Sequence, residues 1–466
     1  MTNKESDHLR HLLTSFDAHA LGEGDEVAGA NVLATMAITL ANLARRGSGI
    51  RTPDWKLIPV DCNVLASGSL TSNMVLDEVV TPVGHCQDNL LAHLDRLLKD
   101  NEAEEKRKER NLDRRWDLSG GHPANPGENS LLRLMTGDPE LEPLIESHED
   151  EWGEVLGSSP SEHFVDLIRR PRVFITGATP ALLDQQLPGA HHSQALVAIG
   201  LNRASDAAKF GSICPSLMNG MIPAGPSGEA VRGRLLITDP GDVLPLATKA
   251  DSDETAWLAR LLWLVDGSAG PEFPSEDASD RIIPLPHLNA RFAHAVRLIL
   301  ANRLNSRQPQ PLIFECDFAK SQVRWMKFLN DMEGSLPGIR GTARCLLASL
   351  MFGFQRLIKV AEAPEGFKHY RDGIEALAKH LIRRMANARA AILFSANEAR
   401  KLAHKRKILT KLDGEAMDTR MLYRGVHLHA DSCRELLSEL KGDGLIELSG
   451  DKWQRVEGAT LPFDLN

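Results

Sequence analysis

The sequence has no paired cysteine motif, no basic and apolar leader, and no apolar run of membrane-spanning length. Its cysteines stand apart, without CxxC or CxxxC spacing, at positions 62, 86, 214, 316, 345 and 433. A secreted chain of this kind is expected to carry a disulfide framework, so the pattern indicates reduced thiols. The N-terminus MTNKESDHLRHLL is polar, and no stretch approaches the roughly 18 apolar residues that cross a bilayer. These absences predict a soluble, cytoplasmic protein without a membrane partner.

The signature motifs of common hydrolases and metalloenzymes are also missing. HEXXH and GXSXG do not occur in the sequence. The close histidines, His191 with His192 and His427 with His429, have no cysteine or carboxylate at metal-ligand spacing. The acidic run at 146–154 favours a solvated helix face over a magnesium site. The sequence therefore assigns no catalytic residue and no metal ligand.

The length and charge of the chain restrict its organisation. A chain of 466 residues is too long for one ordinary hydrophobic core, which predicts two or three domains. A net charge of −9 argues against a basic footprint over the whole surface, but it leaves room for local basic patches. We predict an N-terminal helical segment over 1–50, an α/β core over 51–316, a helical region over 317–408 and a small module over 409–466.

Hydrophobic periodicity predicts the α/β core. Residues 27–45 predict a helix, residues 55–66 a buried strand, and SGSLTSN at 67–73 a turn that leads into a helix. This strand–turn–helix order is the first half of a βαβ unit. Further strands are predicted at 172–176, 195–200 and 233–238, helices at 253–266 and 288–305, and an exposed loop at 211–230.

The turn at 67–73 is where a P-loop protein would place GxxxxGK[ST]. In that motif backbone N–H groups, a lysine and a hydroxyl hold the phosphates and magnesium. Here no lysine occurs between Lys56 and Lys99. The turn is either an ordinary strand-to-helix connection or a weak site for ATP and magnesium that uses backbone amides. The candidate nucleotide-binding residues are Gly68, Ser69, Thr71, Ser72, Thr176, Arg232 and Arg234, with the arginines as a phosphate clamp or arginine finger.

The last part of the chain changes character. Residues 317–406 are predicted to be almost wholly helical, and the segment after them follows the order helix, turn, helix and β-hairpin that is typical of a winged helix. Acids in this module offset its cations, so DNA contact and a protein-docking or lid role both remain open. The candidate nucleic-acid-binding residues are Arg400, Lys401, Lys405, Arg406, Lys407, Arg420, Arg424, Arg434 and Lys452.

Several short motifs share an order with one protein family. The strand after Trp55, the Ser/Gly turn, RPRVFITGATPALL at 170–183, GEAVRGRLLITDPGD at 228–242 and the C-terminal module follow one another. This order resembles uncharacterised P-loop proteins that occur with phage- and plasmid-type primase–helicases. That family has Gly-Lys-Ser in its Walker A motif where this chain has Thr71-Ser72-Asn73, and the family's acidic strand end is not identifiable here. The resemblance implies a degenerate member that kept the fold and lost much of the ATPase chemistry.

Three hypotheses about function follow from the sequence. The first is a nucleic-acid-associated accessory protein of mobile-element or antiviral-defence type, which has a degenerate NTPase core and acts with other protein subunits. The second is an active ATPase or helicase-like protein with an atypical phosphate loop. The third is a helical scaffold that uses residues 317–406 to dock a protein partner.

Overall fold

The computed structural model divides the chain into two compact units, residues 1–388 and 389–466. It describes residues 3–45, 47–51, 56–116, 172–177, 179–187, 194–201, 203–223, 230–241, 243–244, 246, 256–266, 288–304, 312–315, 319–333, 339–359, 364–413 and 415–456. The acidic run at 146–154 and the histidines at 191 and 192 lie outside these residues.

A parallel β-sheet forms the centre of the first unit. Its strands, in spatial order, are β4 (Phe174–Gly177), β5 (Gln194–Gly200), β7 (Ala230–Asp239), β3 (Val64–Ser67) and β8 (Leu262–Val265), and β6 (Ile222–Pro223) pairs antiparallel with β7. All four neighbouring pairs in the main order are parallel. The strands β3 and β8 are buried at every position, which is expected of a parallel sheet with both faces covered. The chain is therefore a mixed α/β protein.

The strand order creates a reversal at the centre of the sheet. The chain passes from β3 to β4 in one direction across the sheet, and from β4 through β5 and β7 to β8 in the other. In open parallel sheets, a reversal of this kind marks the crevice at the carboxyl ends of the strands where ligands bind. The end of β3 is therefore the first place to look for a site.

Helices account for most of the remaining structure of the first unit. They are α1 (Asn3–Ser15), α2 (Ala18–Leu21), α3 (Glu26–Leu43), α4 (Ser69–Val75), α5 (Thr81–Trp116), α6 (Pro180–Gln186), α7 (Ala204–Lys209), α8 (Ile213–Asn219), α9 (Leu288–Leu304), α10 (Ala319–Met332), α11 (Ile339–Ala343), α12 (Leu346–Lys359) and the first part of α13 (Pro364–Leu412). A π-helical segment at 76–80 joins α4 to α5, and a 3₁₀ turn at 256–260 precedes β8. A small second sheet has the order β2 (Leu57–Pro59), β1 (Gly49–Arg51) and β9 (Ile313–Glu315).

Helix α3 is buried from Ala28 to Leu43. The carboxylate of Asp25 accepts hydrogen bonds from Val27 N at 2.8 Å and Ala28 N at 3.0 Å, which fixes the start of the helix. Among the described residues, α3 is the one helix long and apolar enough to cross a membrane, and 89% of that window is buried inside the fold. It thus packs as a core helix of the first unit.

The carboxyl end of α3 is held by two buried arginines. Arg234 on β7 donates from Nη1 to the carbonyl oxygens of Asn42 at 2.8 Å and Ala44 at 2.9 Å. Arg303 on α9 donates to Leu43 O at 3.1 Å and to Gln194 O at 2.9 Å. The last carbonyls of a helix have no partner within the helix, so a buried end must find donors elsewhere. Burial lowers the pKa of Arg303 to about 9.

The second unit is a small helical module with a β-hairpin. It contains the end of α13, then α14 (Thr419–Gly425), α15 (Ala430–Gly442), β10 (Ile446–Ser449) and β11 (Lys452–Arg455). Met417, which precedes α14, pairs with Trp453 of β11 through two backbone hydrogen bonds of 3.0 and 2.8 Å. Cys433, Leu436, Leu437 and Leu440 place one apolar face of α15 in the core of the unit, against Leu409 and Leu412 of α13 among others.

The structure confirms most of the elements predicted from the sequence and corrects three. The predicted single strand at 55–66 is instead two strands, β2 and β3, which belong to different sheets and are separated by residues 60–63. The predicted helix at 253–266 is wrong, because LWLV pairs with β3 as strand β8. Part of the predicted loop at 211–230 is helix α8, whose Ile213, Cys214 and Leu217 are buried.

Helices α3 and α12 approach closely at Gly353. A Cβ atom at this position would lie 2.0 Å from the carbonyl oxygen of Ala37. Because that atom belongs to the backbone of a buried helix, it cannot move aside without shifting α3. A glycine is therefore required at this crossing.

We expect Gly353→Ala to lower the free energy of unfolding by about 1–3 kcal/mol, since it overpacks the contact between the two helices. Urea unfolding followed by circular dichroism measures the change. Gly84→Ala is the matched control, because a Cβ there meets only Phe174 at 3.8 Å. The control should be neutral or stabilising by up to about 1 kcal/mol. Equal losses in both variants would contradict the close crossing.

Candidate functional site

Three polar side chains meet at the carboxyl ends of adjacent strands. Ser67 ends β3, Asp239 ends β7, and Asp266 follows β8 directly. The hydroxyl of Ser67 donates to Asp239 Oδ2 at 2.8 Å. Backbone N–H groups tie the three strand ends together, from Gly68 to Asp239 O at 2.8 Å and from Asp266 to Ser67 O at 3.1 Å. This cluster lies at the reversal of the strand order, where a ligand site is expected.

The connection between β3 and α4 is a single residue, Gly68. Strand β3 ends at Ser67 and α4 begins at Ser69. Gly68 has φ 111° and ψ 149°, in a region that favours glycine, and a Cβ there would lie 2.3 Å from Asp266 Oδ2. A phosphate-binding loop needs several successive residues between strand and helix, so that their N–H groups surround the phosphate. The connection here has no such length.

The carboxylate of Asp266 occupies the first N–H groups of α4. Leu70 N donates to Asp266 Oδ2 at 2.8 Å, and Thr71 N donates to Asp266 Oδ1 at 2.9 Å. A helix start attracts an anion because its first N–H groups have no partner within the helix and the helix dipole is positive there. In this protein the anion is a side chain of the same chain.

A buried cation and a buried amide support the same arrangement. Arg384 on α13 donates from Nη2 to Val265 O at 3.3 Å. Burial lowers the pKa of Arg384, and the charges of Asp25 and Asp266 oppose that shift. Asn31 on α3 donates from Nδ2 to Val265 O at 3.2 Å and to Thr71 Oγ1 at 3.1 Å. The carboxylate of Asp266 is thus neighboured by a positive charge as well as by N–H donors.

The predicted nucleotide-binding residues of the turn have other roles. Thr71 and Ser72 are buried within α4, and the Thr71 hydroxyl accepts the hydrogen bond from Asn31. Ser69 is exposed at the start of the helix, and its carbonyl accepts from the hydroxyl of Ser72 at 3.4 Å. Thr176 lies in β4, three strands from β3, which corresponds to about 14 Å across the sheet. The structure does not bring Thr176 together with the turn.

The two predicted arginines lie toward the other end of their strand. Arg234 and Arg232 precede Asp239 by five and seven residues on β7, which corresponds to roughly 16 Å and roughly 23 Å along the strand. Both contact Asp61, with Arg232 Nη2 at 3.1 Å from Oδ2 and Arg234 Nε at 3.5 Å from Oδ1. The structure does not bring either arginine to the turn: Arg234 is buried against the end of α3, and Arg232 pairs with Asp61.

The predicted nucleic-acid-binding residues fall into two groups. Three of them, Lys401, Lys405 and Arg434, form ion pairs with carboxylates of α15. The other six are exposed at the surface of the second unit: Arg400, Arg406, Lys407, Arg420, Arg424 and Lys452. The side chains of this second group are therefore accessible to a binding partner.

Sequence reasoning missed the two carboxylates that define the strand-end cluster. Asp239 lies within the motif GEAVRGRLLITDPGD at 228–242, and Asp266 is the last residue of the helix predicted at 253–266. The available signal was a short apolar run, LLWLV, followed at once by an aspartate. Short apolar runs are ambiguous between strand and buried helix, so this signal was not specific.

The sequence and fold were compared with known proteins. No protein family, no curated protein and no solved structure matches the chain. The resemblance to P-loop proteins of primase–helicase elements therefore remains a prediction. Among the described residues, no three His, Cys, Asp or Glu side chains are grouped so that they could hold a metal ion.

We expect Asp266→Ala to lower the free energy of unfolding by about 1–3 kcal/mol, because it leaves two N–H groups of α4 without their acceptor. Urea unfolding of the full chain measures the change. Thr179→Ala is the matched control, since the Thr179 hydroxyl caps α6 by accepting one exposed hydrogen bond of 3.2 Å from Leu182 N. A loss no larger than that of the control would contradict the role of Asp266 as the internal anion at the start of α4.

His380 lies one turn before Arg384 on α13 and is fully buried. Burial, with the charges of Arg384 and Arg383, lowers the pKa of its imidazole from 6.5 to about 3. In the unfolded chain the imidazole takes up a proton below its ordinary pKa, whereas in the folded protein it stays neutral until far lower pH. Stability therefore falls as the pH drops from 6.5 toward 3.

We expect His380→Gln to flatten the dependence of the unfolding free energy on pH between about pH 6.5 and pH 4 by up to about 1.4 kcal/mol per pH unit. Urea titrations at several pH values measure the slope. His85→Gln, which replaces an exposed imidazole of the same unit, is the matched control. An unchanged slope in His380→Gln would contradict the neutral buried state.

Proposed function

We infer that this protein is a nucleic-acid-associated accessory protein whose α/β core is a degenerate P-loop-type domain that works without nucleotide. The observation that carries the proposal is the carboxylate of Asp266 on Leu70 N and Thr71 N. An enzyme that transfers phosphoryl groups offers these donors, with a lysine and a magnesium ligand, to the phosphates. Here the donors already hold an anion, and no lysine lies near the turn in sequence.

The sheet supports a core of P-loop type. Its first strand in chain order, β3, leads through Gly68 directly into helix α4, and both strands beside β3 are parallel to it. Two requirements of the chemistry are unmet at this turn: the connection is a single residue, and no lysine occurs between Lys56 and Lys99.

The second unit supports the nucleic-acid part of the proposal. A winged helix has three helices, a short strand before the second helix, and a hairpin whose last strand pairs with that short strand. The end of α13, Met417, α14, α15 and the hairpin β10–β11 follow this order, including the pairing of Met417 with Trp453. Winged helices commonly serve in nucleic-acid and protein recognition, so the site and not the fold must decide between these roles.

The two alternative functions have less support. The active-ATPase hypothesis relied on Arg232 and Arg234, which lie away from the turn. A large apolar patch on 317–406 would favour the scaffold hypothesis over nucleic-acid binding. The exposed large apolar residues described in that region are Val323, Leu393 and Phe394, and Val323 stands apart from the other two in sequence. Such a set is small compared with the patches that mark protein interfaces.

We expect the full chain to bind nucleic acid at about 50 mM KCl, with affinity that falls steeply with salt and does not change when ATP and Mg²⁺ are added. Fluorescence anisotropy with single-stranded and duplex oligonucleotides measures binding, and calorimetry with ATP and Mg²⁺ should detect no nucleotide binding. ATP binding in the micromolar range, or ATP hydrolysis stimulated by nucleic acid, would contradict the degenerate core. Absence of binding to every oligonucleotide would contradict the nucleic-acid role.

A further inference from the structure

The C-terminal part of α13 carries two rows of basic side chains. Residues three, four, seven and eleven positions apart lie on the same face of an α-helix. Lys401 and Lys405 form one row, which we call the inner row. Arg400, His404, Lys407 and Lys411 form the other, which we call the outer row. Both rows belong to the second unit.

The inner row is compensated by carboxylates of α15. Lys401 Nζ lies 3.4 Å from Glu439 Oε1 and 3.7 Å from Glu435 Oε1. Lys405 Nζ lies 3.0 Å from Glu439 Oε2 and 3.2 Å from Asp443 Oδ2. The hydrogen bonds from Lys405 and Lys401 lower the pKa of Glu439. These pairs join α13 to α15, so the inner row stabilises the unit internally.

The outer row has no such compensation. Arg400, Lys407 and Lys411 are exposed, and within the described residues 389–413 and 415–456 they form no ion pair. The row from Arg400 to Lys411 extends about 16 Å along the helix. The whole unit is almost neutral, with 13 Lys and Arg against 12 Asp and Glu in residues 389–466. Arg400, Lys407 and Lys411 thus place three cations without carboxylate partners among the described residues on one face of α13.

The outer row continues onto α14. A Cβ added at Gly425 would lie 3.8 Å from Cε of Lys411, so the lysine stem lies beside the end of that helix. Arg420 and Arg424 are one turn apart on the exposed face of α14, opposite the buried Leu422. Neither arginine forms an ion pair with any residue that the structure describes in this unit. The surface of Arg400, Lys407, Lys411, Arg420 and Arg424 is called the basic face below.

Helix α15 is less suited to read base edges in a groove. Its first exposed residues include Asp431 and Glu435, whose side chains are 94% and 65% exposed. Carboxylates at the start of this helix would repel the phosphates on both sides of a groove. The single arginine among them, Arg434, is paired with Asp431 at 2.7 Å. Contact through α15 is therefore disfavoured by charge.

We propose that the basic face, and not α15 with the hairpin, contacts the phosphate backbone of a nucleic-acid duplex, and that it does so without sequence selection. The inference rests on the proposed function. A row of about 16 Å matches the axial length of about five phosphates on one strand, at about 3.4 Å each. Lysine and arginine contacts to phosphate set affinity and position but carry no sequence information. Protein interfaces, in contrast, depend on buried aromatic and apolar anchors, and the basic face consists of charged side chains.

The test compares two pairs of lysines that differ only in position. Lys407→Gln with Lys411→Gln removes two charges from the basic face. Lys441→Gln with Lys452→Gln removes two exposed charges from the end of α15 and the hairpin. The full chain is titrated with two unrelated duplexes of about 30 base pairs at several KCl concentrations, with circular dichroism to verify folding.

We expect the Lys407 and Lys411 variant to bind about tenfold or more weakly at about 50 mM KCl, and its slope of log K against log salt to be smaller by about 2. The affinity of the Lys441 and Lys452 variant should stay within about twofold of that of the wild type. The wild type and this variant should each bind the two duplexes with equal affinity. Adding Arg420→Gln and Arg424→Gln to the Lys407 and Lys411 variant should weaken its binding to duplex further.

Three results would overturn the proposal while leaving the proposed function intact. The first is a loss of duplex affinity in the Lys441 and Lys452 variant alone. The second is an equal loss of affinity in both variants. The third is a preference of the wild type for one duplex sequence. Binding of polyglutamate as tight as that of duplex would also overturn it, since the face would then be a docking surface for acidic protein. If the wild type binds no nucleic acid at all, the proposed function fails first.

Discussion

A helix buried along its length must have its end groups satisfied from within the protein, and α3 imposes this constraint on the first unit. Arg234 and Arg303 donate to its last carbonyls, and Asp25 accepts from its first N–H groups. The buried side chains of Arg234 and Arg303 thus form internal hydrogen bonds that stabilise the fold. The same helix contributes Asn31, which fixes Thr71 and the carbonyl of Val265 beside the strand ends. The position of α4, and hence of its first N–H groups, depends on this helix.

The electrostatics of an anion site are present at the end of β3, but the protein supplies the anion itself. Donors at the start of α4 and the neighbouring charge of Arg384, which lie where the strand order reverses, would together suit a phosphate. Asp266 takes that position because β8 lies next to β3 and the chain leaves β8 at the same edge of the sheet. Stability and ligand binding therefore compete for the same two N–H groups, and the observed structure favours stability.

Local patterns in the sequence were sufficient for elements whose neighbours are close along the chain. Periodicity and turn residues predict helices at α3, α9 and α13, and they also predict the two helices and the hairpin of the second unit. Strand β8 could not be predicted in this way, because its pairing with β3 joins residues about 200 positions apart and LWLV fits a helix equally well. Likewise, nothing local to Arg234 shows that its partners are the carbonyls of α3. The role of Asp266 required the fold for the same reason.

The one-residue connection at Gly68 has an evolutionary consequence. A lysine or an aspartate can arise by a single codon change. A loop that surrounds a phosphate cannot arise in this way, since residues must be inserted between Ser67 and Ser69 and Asp266 must also be replaced. Each step alone would damage the junction without yielding a binding site. Single substitutions therefore cannot turn this strand end into a phosphate site.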